Sequence, residues 1–212
     1  MKPIVIYGAG GLGKEILALL EALPQWNVMG FYDDGKTEGT RVKGIDVLGG
    51  MAEVEKSAGP INMVVAVGDP KIKEGLIQKL SALQKINFPI LIHPSAILMA
   101  PESISIGKGA VIGAGVILTT DVKVEDHVLI NINTTVGHDV IIGGASSIMP
   151  GVNIGGMVSI GKAVLIGSGT SIKNGVTLGD HSRVGMGSVV LRDVEEGTTV
   201  AGVPARTLPN RR

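Results

Sequence analysis

The chain has 212 residues, with 19 basic and 19 acidic side chains and no cysteine. The lack of cysteine excludes disulfides, thiolate zinc sites and a cysteine nucleophile. The balanced charge argues against a nucleic-acid or acidic-membrane partner, because either would favour a basic excess. The chain start lacks the apolar region of a signal peptide, and no run of about 18 apolar residues occurs. We therefore expect no membrane span and a cytoplasmic protein.

Residues 1–92 alternate strand and helix patterns. An apolar strand at 4–7 precedes a glycine-rich turn and a helix-period stretch from Leu12 to Leu23. Further strands are predicted at 27–32, 61–67 and 88–92, and further helices at 51–57 and 71–85. This βαβ order predicts a small parallel sheet covered by helices, which is half of a Rossmann domain.

The turn after the first strand carries Gly8-x-Gly10-x-x-Gly13, and Asp33 lies at the end of the next predicted strand. This is the dinucleotide-binding fingerprint, in which glycines let the backbone approach a phosphate and the helix start attracts an anion. A dinucleotide fold needs two such halves, and this region supplies one. We therefore expect a mononucleotide or nucleotide-sugar site, with NAD and a turn without any ligand as the alternatives.

Residues 93–212 follow a six-residue repeat. No aromatic residue occurs after Phe88, and every sixth residue from Ile106 to Val190 is aliphatic. Such a repeat indicates a parallel β-helix, in which three hexads close one coil. Residues 18 apart then stack in neighbouring coils about 4.8 Å apart. The fifteen hexads predict five coils.

His138 differs from the other three histidines because Asp139 follows it directly. A general base needs a pKa near neutrality and an acid that orients it, and a histidine followed by an aspartate fits both needs. The 18-residue stacking places Gly156 one coil above His138, which we expect to leave space for a substrate. His127 and His181 are expected at surface turns. Neither is separated from His138 by a multiple of 18 positions, which argues against a zinc hydratase with three converging histidines.

The repeat, together with the closing segment Ala201-Gly202-Val203-Pro204-Ala205-Arg206, resembles the left-handed β-helix of the hexapeptide-repeat acyltransferases. A small nucleotide-binding half before such a helix resembles the sialic-acid O-acetyltransferase group. Its relatives include bacterial N-acetyltransferases of UDP- or GDP-linked 4-amino sugars. The resemblance implies the left-handed coil, acetyl-CoA as co-substrate, no metal, and a homotrimer whose active site lies between subunits.

The resemblance also implies roles for individual residues. It makes His138 the general base with Asp139 as its partner, and it places Asp33 and Asp34 at the base and ribose of a nucleotide. The predicted substrate site further contains Gly10, Gly11, Leu12, Gly13, Lys36, Gly68 and Asn131. The predicted acetyl-CoA site contains Ser147, Gly156, Gly167, Gly185, Ala201, Gly202 and Arg206. Leu12 stands where the family often has histidine, so that contact is lost or replaced.

These patterns favour an acetyl-CoA-dependent acetyltransferase that acts on the amino group of a nucleotide-linked sugar. His138 would deprotonate the amine, and a backbone amide would hold the oxyanion of the tetrahedral intermediate. Acetylation of a sugar hydroxyl, such as that of sialic acid, is the nearest alternative. A non-catalytic trimeric module that senses a nucleotide is the alternative from another class of protein.

Overall fold

The computed structural model describes residues 1–209, which form two compact units. The first unit contains Met1–Gly68 and Ile72–Pro89, and the second contains Asp69–Lys71 and the chain from Ile90 onward. The observed division thus lies slightly before the predicted boundary at 92. The predicted second domain extends to residue 212, and its last three residues lie outside the described range.

A four-stranded parallel sheet forms the core of the first unit. The elements of this region are β1 (Lys2–Tyr7), α1 (Gly11–Glu21), β2 (Trp26–Tyr32), β3 (Arg41–Val42), β4 (Ile45–Asp46), α2 (Met51–Lys56), β5 (Ile61–Val65), α3 (Pro70–Ala82) and β6 (Ile86–Asn87). The strand order in the sheet is β2-β1-β5-β6. The predicted helices are present, as are the strands predicted at 4–7, 27–32 and 61–67, with ends that differ slightly from the predicted ones. The short antiparallel hairpin of β3 and β4 was not predicted from sequence.

The central strand β1 is buried continuously from Ile4 to Tyr7 rather than on alternate residues. Continuous burial is typical of a parallel strand covered on both faces. The chain passes from β1 to β2 on one side and then returns to β5 on the other side of β1. The carboxyl ends of β1 and β5 therefore form a topological switch point, which is where open α/β sheets bind ligands.

The second unit is built from short strands in three sheets. The first sheet contains β7 (Leu91–Ile92), β10 (Val111–Ile112), β13 (Leu129–Ile130), β16 (Ser147–Ile148), β19 (Leu165–Ile166), β22 (Arg183–Val184), β24 (Thr199–Ala201) and β25 (Arg206–Thr207). The second contains β8 (Ile97–Leu98), β11 (Ile117–Leu118), β14 (Thr135–Val136), β17 (Asn153–Ile154), β20 (Ser171–Ile172) and β23 (Val189–Val190). The third contains β9 (Ser105–Ile106), β12 (Lys123–Val124), β15 (Ile141–Ile142), β18 (Ser159–Ile160) and β21 (Thr177–Leu178).

The pairing between coils confirms the predicted β-helix. Val111 pairs with Leu129, and Leu129 pairs with Ser147, so both of these steps have the predicted spacing of three hexads. The hexad aliphatic residues from Ile112 to Val190 and the Ala and Val residues four positions after a hexad residue form one buried cluster that contains no aromatic side chain. Each large aliphatic side chain buried in this way contributes about 1.5–3 kcal/mol.

Two more strands, β7 and β8, precede the fifteen predicted hexads within the described residues, and β24 follows them, so the strands from β7 to β24 make six coils. Leu91 pairs with Val111, which is a longer step than three hexads. A 3₁₀ turn at Pro101–Ser103 accommodates the extra residues, which hid β7 and β8 from the six-residue pattern. The strand predicted at 88–92 is therefore wrong as an element of the first domain, because Leu91–Ile92 belongs to the β-helix.

Candidate active site

His138 and Asp139 lie at the corner between β14 and β15. The Nδ1 atom of His138 is 2.7 Å from Oδ2 of Asp139, and the two side chains are 49% and 60% exposed. A carboxylate oxygen can only accept a hydrogen bond, so this contact keeps the proton of a neutral imidazole on Nδ1. The lone pair is then on Nε2, the atom that a general base needs.

Backbone hydrogen bonds join the His138–Asp139 corner to the coils on either side. Asp139 adopts a left-handed conformation with φ of 57°, and its N–H donates to the carbonyl of Thr120 at 3.2 Å. The carbonyl of His138 accepts from the N–H of Met157 at 2.7 Å in the next coil. Hydrogen bonds to the coil on each side therefore fix the backbone of His138 and Asp139.

Gly156 lies one coil above His138, as the stacking predicted. A Cβ atom at residue 156 would overlap Nε2 of His138 and would lie only 2.7 Å from its Cε1. The expectation that this glycine leaves space for a substrate is thus wrong in detail, because the imidazole ring itself occupies that space. Gly156 is needed for His138 to adopt its position.

A second carboxylate lies on the same corner and was missed in the sequence. Asp121 is one coil below Asp139, also left-handed with φ of 55°. Its Oδ2 accepts from the Thr120 hydroxyl at 2.6 Å, and its N–H donates to the Ser103 hydroxyl at 2.8 Å. The three-hexad spacing from Asp139 is the signal that could have identified it. Two carboxylates therefore make this corner attractive to a cationic group such as an ammonium.

In the first unit, the glycines of the predicted nucleotide turn divide into two kinds. Gly8 has φ of +112°, and a Cβ there would lie 2.5 Å from the Ala66 carbonyl oxygen; a Cβ at Gly13 would overlap the Gly8 carbonyl oxygen. Packing alone therefore requires both. At Gly10 and Gly11, a Cβ would meet no described atom within 4 Å. These two glycines are open at the start of α1, where backbone amides can approach an anion.

The predicted acidic pair makes several hydrogen bonds within the chain. Asp33 accepts from the N–H groups of Ala9 at 2.7 Å and Gly35 at 2.9 Å. Asp34 accepts from the Tyr7 hydroxyl at 2.7 Å and from the Met51 N–H at 2.8 Å. Both carboxylates thus organise the carboxyl edge of the sheet. Each oxygen keeps a second lone pair that a ligand could use.

Three other residues of the predicted substrate site surround the same edge. Leu12 is half-buried on α1, Lys36 is exposed, and Gly68 is half-buried after β5. The Lys36 N–H donates to the carbonyl of Asp33 at 3.3 Å, which closes the turn after β2.

Two predicted site residues in the β-helix are buried. Asn131 is 7% exposed, and its Oδ1 accepts from the N–H of Ile132 at 2.7 Å. The Ser147 side chain has no exposed surface in this chain. Their geometry gives no support to direct contact with a sugar or with acetyl-CoA.

The remaining residues predicted at acetyl-CoA have structural explanations of their own. A Cβ at Gly167 would overlap the Met186 backbone nitrogen, and one at Gly185 would lie 2.8 Å from the Ala201 Cβ. Gly202 has φ of 101°. Ala201 and exposed Arg206 pair where β24 and β25 form an antiparallel hairpin. The stacking of the last coils thus accounts for these residues, and a role at acetyl-CoA stays a prediction.

His127 does not lie at the surface as expected. It is buried, and its ring packs against Gly109, where a Cβ would lie 2.7 Å from the His127 Cε1. His181 is exposed, as expected. In residues 1–209, no group of three or more His, Cys, Asp or Glu side chains is arranged to hold a metal ion.

Lys73 is a buried titratable residue that sequence reasoning missed. It is 2% exposed on α3, and burial lowers its pKa from 10.5 to about 7. Its spacing from Leu76 and Leu80 places it on the apolar face of this helix, which is the signal that could have found it.

No helix in the described part of the chain is long and apolar enough to cross a membrane.

Comparison with known families matches both halves of this architecture. The model of the PglD N-terminal domain matches residues 3–80. The bacterial transferase hexapeptide model (six repeats) matches residues 157–192, and the hexapeptide repeat of succinyl-transferase matches residues 95–120. The fold and these repeats define a hexapeptide-repeat transferase, and the left-handed coil predicted by resemblance follows from this class.

Solved structures resemble the chain over almost its whole length. The acetyltransferase domain of PglB from Neisseria gonorrhoeae FA1090 is 33% identical with a TM-score of 0.91, covering 98% of this chain and 100% of that one. A histidine-to-asparagine mutant of perosamine N-acetyltransferase from Caulobacter crescentus, in complex with CoA and GDP-perosamine, is 29% identical with a TM-score of 0.90. That match covers 99% of this chain and 98% of the Caulobacter chain.

A curated relative resembles this chain over a shorter segment. UDP-N-acetylbacillosamine N-acetyltransferase of Bacillus subtilis (strain 168) is 33% identical over 120 residues, which is 56% of this chain and 51% of the relative. The matched segment therefore spans about half the length of that relative. Taken with the full-length structural match, these findings show that the chain belongs to the hexapeptide-repeat acetyltransferases with a PglD-type N-terminal domain.

Proposed function

We propose that this protein transfers the acetyl group of acetyl-CoA to the amino group of a nucleotide-linked 4-amino sugar. The observation that carries the proposal is the 2.7 Å contact between His138 Nδ1 and Asp139 Oδ2 at an exposed corner. That contact leaves Nε2 as a base in a partly exposed position. Family membership supports the choice of acyl transfer over other reactions of a histidine–aspartate pair.

In the proposed mechanism, the sugar amine attacks the thioester carbonyl while Nε2 of His138 removes a proton from the nitrogen. The Asp139 carboxylate stabilises the resulting imidazolium. The tetrahedral oxyanion needs a backbone N–H donor, and the Gly156 amide is the candidate beside the ring. Collapse of the intermediate breaks the carbon–sulfur bond, and the imidazolium returns its proton to the CoA thiolate. The products are an acetamido sugar and free CoA.

The first unit would bind the nucleotide. The open glycines Gly10 and Gly11 at the start of α1 suit a phosphate, and the Asp33 and Asp34 carboxylates suit the N–H and O–H donors of a base and ribose. The relatives support a nucleotide-linked amino sugar, since one was solved with GDP-perosamine and another is named for a UDP-linked sugar. These names also favour transfer to nitrogen over transfer to a hydroxyl of a sugar such as sialic acid.

We also propose a homotrimer with active sites between subunits, working in the cytoplasm. Exposed apolar side chains on the β-helix, including Ile97, Met99 and Ile141, support association of copies. Trimer formation would bury these side chains between neighbouring β-helices.

The experiment that tests this function is a panel of UDP- and GDP-linked amino sugars, incubated with the protein and acetyl-CoA. Release of free thiol is followed, and the mass and NMR spectrum of the product identify an amide or an ester. We expect thiol release with at least one 4-amino sugar and an amide product. An ester product would indicate the O-acetyltransferase. Nucleotide binding without thiol release across the panel would indicate a nucleotide-sensing module.

A further inference from the structure

Tyr7 connects the end of β1 to the acidic strand end of β2. It is the last residue of β1 and is 3% exposed, so its hydroxyl lies at the edge of the sheet while its ring is in the core. The hydroxyl donates to Oδ2 of Asp34 at 2.7 Å. The ring stacks on that of Tyr32, with centroids 6.4 Å apart and planes at 24°. The stacked ring leaves the hydroxyl little freedom to point elsewhere.

The Asp34 carboxylate is held from a second direction by the start of α2. Its Oδ1 accepts from the Met51 N–H at 2.8 Å. Gly50 allows this approach, because a Cβ at residue 50 would lie 2.6 Å from Oδ1. Each carboxylate oxygen thus has one internal donor. Asp34 nevertheless remains exposed, so the second lone pair of each oxygen can reach a ligand.

The Tyr7 hydroxyl stays protonated throughout the physiological pH range. Burial and the neighbouring Asp34 raise the pKa of Tyr7 well above its usual value. A hydroxyl that donates to a carboxylate makes a charge-assisted hydrogen bond, which is stronger than one between neutral groups. The contact therefore orients Asp34 without a pH-dependent change.

We propose that Tyr7 is a positioning residue for nucleotide recognition, because its hydroxyl aims the remaining lone pairs of Asp34 at the N–H or O–H donors of a nucleotide. The inference rests on the proposed function, in which the Asp33–Asp34 strand end binds the nucleotide. Tyr7 itself is buried and touches no ligand; it acts through Asp34.

The test compares two conservative variants in the same aromatic stack. Tyr7→Phe keeps the ring and removes the hydroxyl, while Tyr32→Phe removes the other hydroxyl of the stack and serves as the control. The dissociation constants of UDP and GDP are measured by calorimetry, with melting temperature and the KM for each substrate. We expect Tyr7→Phe to weaken binding of the nucleotide that the protein takes by about threefold to tenfold. The KM for acetyl-CoA, the kcat and all values for Tyr32→Phe should stay within about twofold of the parent.

A double-mutant cycle with Asp34→Asn shows whether Tyr7 acts through Asp34. If it does, adding Tyr7→Phe to Asp34→Asn weakens nucleotide binding no further, since coupled residues are not additive. The inference would be overturned if the losses of nucleotide affinity in the two variants were fully additive. An unchanged nucleotide affinity in Tyr7→Phe, or a wild-type protein that binds neither UDP nor GDP, would overturn it as well. Weaker nucleotide binding in Tyr7→Phe, from a protein that acetylates no amino sugar, would support the inference while refuting the proposed function.

Discussion

The imidazole of His138 occupies the space that a side chain at residue 156 would need. A Cβ on Gly156 would overlap Nε2, the atom proposed as the base, and would lie 2.8 Å from Cδ2. Glycine at this position therefore allows the β-helix to hold the His138 ring in this orientation. The same contact places the Gly156 backbone beside Nε2 of His138.

Gly156→Ala should lower kcat by about 10²-fold, because the added methyl group displaces the His138 ring and misplacement by about 1 Å costs that much. The measurement is steady-state thiol release, with circular dichroism to confirm the fold. Gly144→Ala is the matched control, since the nearest described atom to a Cβ there would be 3.3 Å away. Equal kcat values for the two variants would contradict this account of Gly156.

His138→Ala should lower kcat by about 10²–10⁴-fold, the usual contribution of a general base. Affinity for acetyl-CoA should change little, because the imidazole acts on the sugar amine. Kinetics and acetyl-CoA calorimetry check the two statements separately. His181→Asn, at another left-handed corner (φ 57°), is the control and should retain parental turnover. Parental turnover in His138→Ala would remove the histidine from the mechanism.

Asp33→Asn should raise the KM for the sugar nucleotide by about tenfold, since each hydrogen bond to a charged group contributes about 1.5 kcal/mol or more. The substitution weakens the hydrogen bonds from the Ala9 and Gly35 N–H groups to the Asp33 side chain. It also deprives the ligand of a charged hydrogen-bond acceptor on the protein. The KM for acetyl-CoA should not change. Asp46→Asn, in an exposed pair with Arg41, is the control. The parent protein is also titrated with NAD, and tight NAD binding would argue for a dinucleotide site instead.

Stability should rise with pH through the titration of Lys73. Its pKa is about 7 in the folded protein and 10.5 as the ordinary value. Between these two values the unfolded chain holds a proton that the folded chain has released, so raising the pH favours folding, by at most about 1.4 kcal/mol per pH unit. Thermal unfolding from pH 7 to pH 9 should show this rise in the parent. The Lys73→Met variant should show a flatter curve, and parallel curves for the two proteins would be inconsistent with a buried, neutral lysine.

The protein should sediment as a trimer, with three times the 21.8 kDa mass of the chain. Exposed Ile97, Met99 and Ile141 provide apolar surface for the association. Ile97→Glu combined with Ile141→Glu should shift the sedimentation mass toward that of the monomer, because association would then bury charged carboxylates against the apolar surface of a neighbouring subunit. A fully active species with the mass of a single chain at working concentration would exclude the trimer.

Much of the architecture could be predicted because its signals are local and repeated. Each hexad needs an inward aliphatic residue, so the register of Ile112, Ile130 and Ile148 followed directly from counting. The βαβ order could also be predicted from local signals, because apolar residues recur with different periods in strands and in helices. The strands β7 and β8 were not predictable in this way, because the 3₁₀ turn at Pro101–Ser103 interrupts the count and only pairing with the next coil reveals them.

The candidate site could be predicted in its residue types but not in its contacts. The glycine motif indicated Asp33 as a ligand acceptor and the family resemblance indicated Asp34, yet both also bind the backbone of this chain. Those donors come from distant parts of the sequence, such as Ala9 and Met51. No pattern within one segment can reveal such contacts.

By itself, the sequence determined the coil, its three-hexad register and the pairing of His138 with Asp139, because each depends on spacing along the chain. Only the tertiary structure decided the direction of each corner side chain. His127 packs against Gly109 in the coil below, whereas His138 packs against Gly156 in the coil above. The first ring is buried and the second is partly exposed. The physical reason is steric, since an imidazole can lie across a neighbouring coil only where that coil carries no side chain.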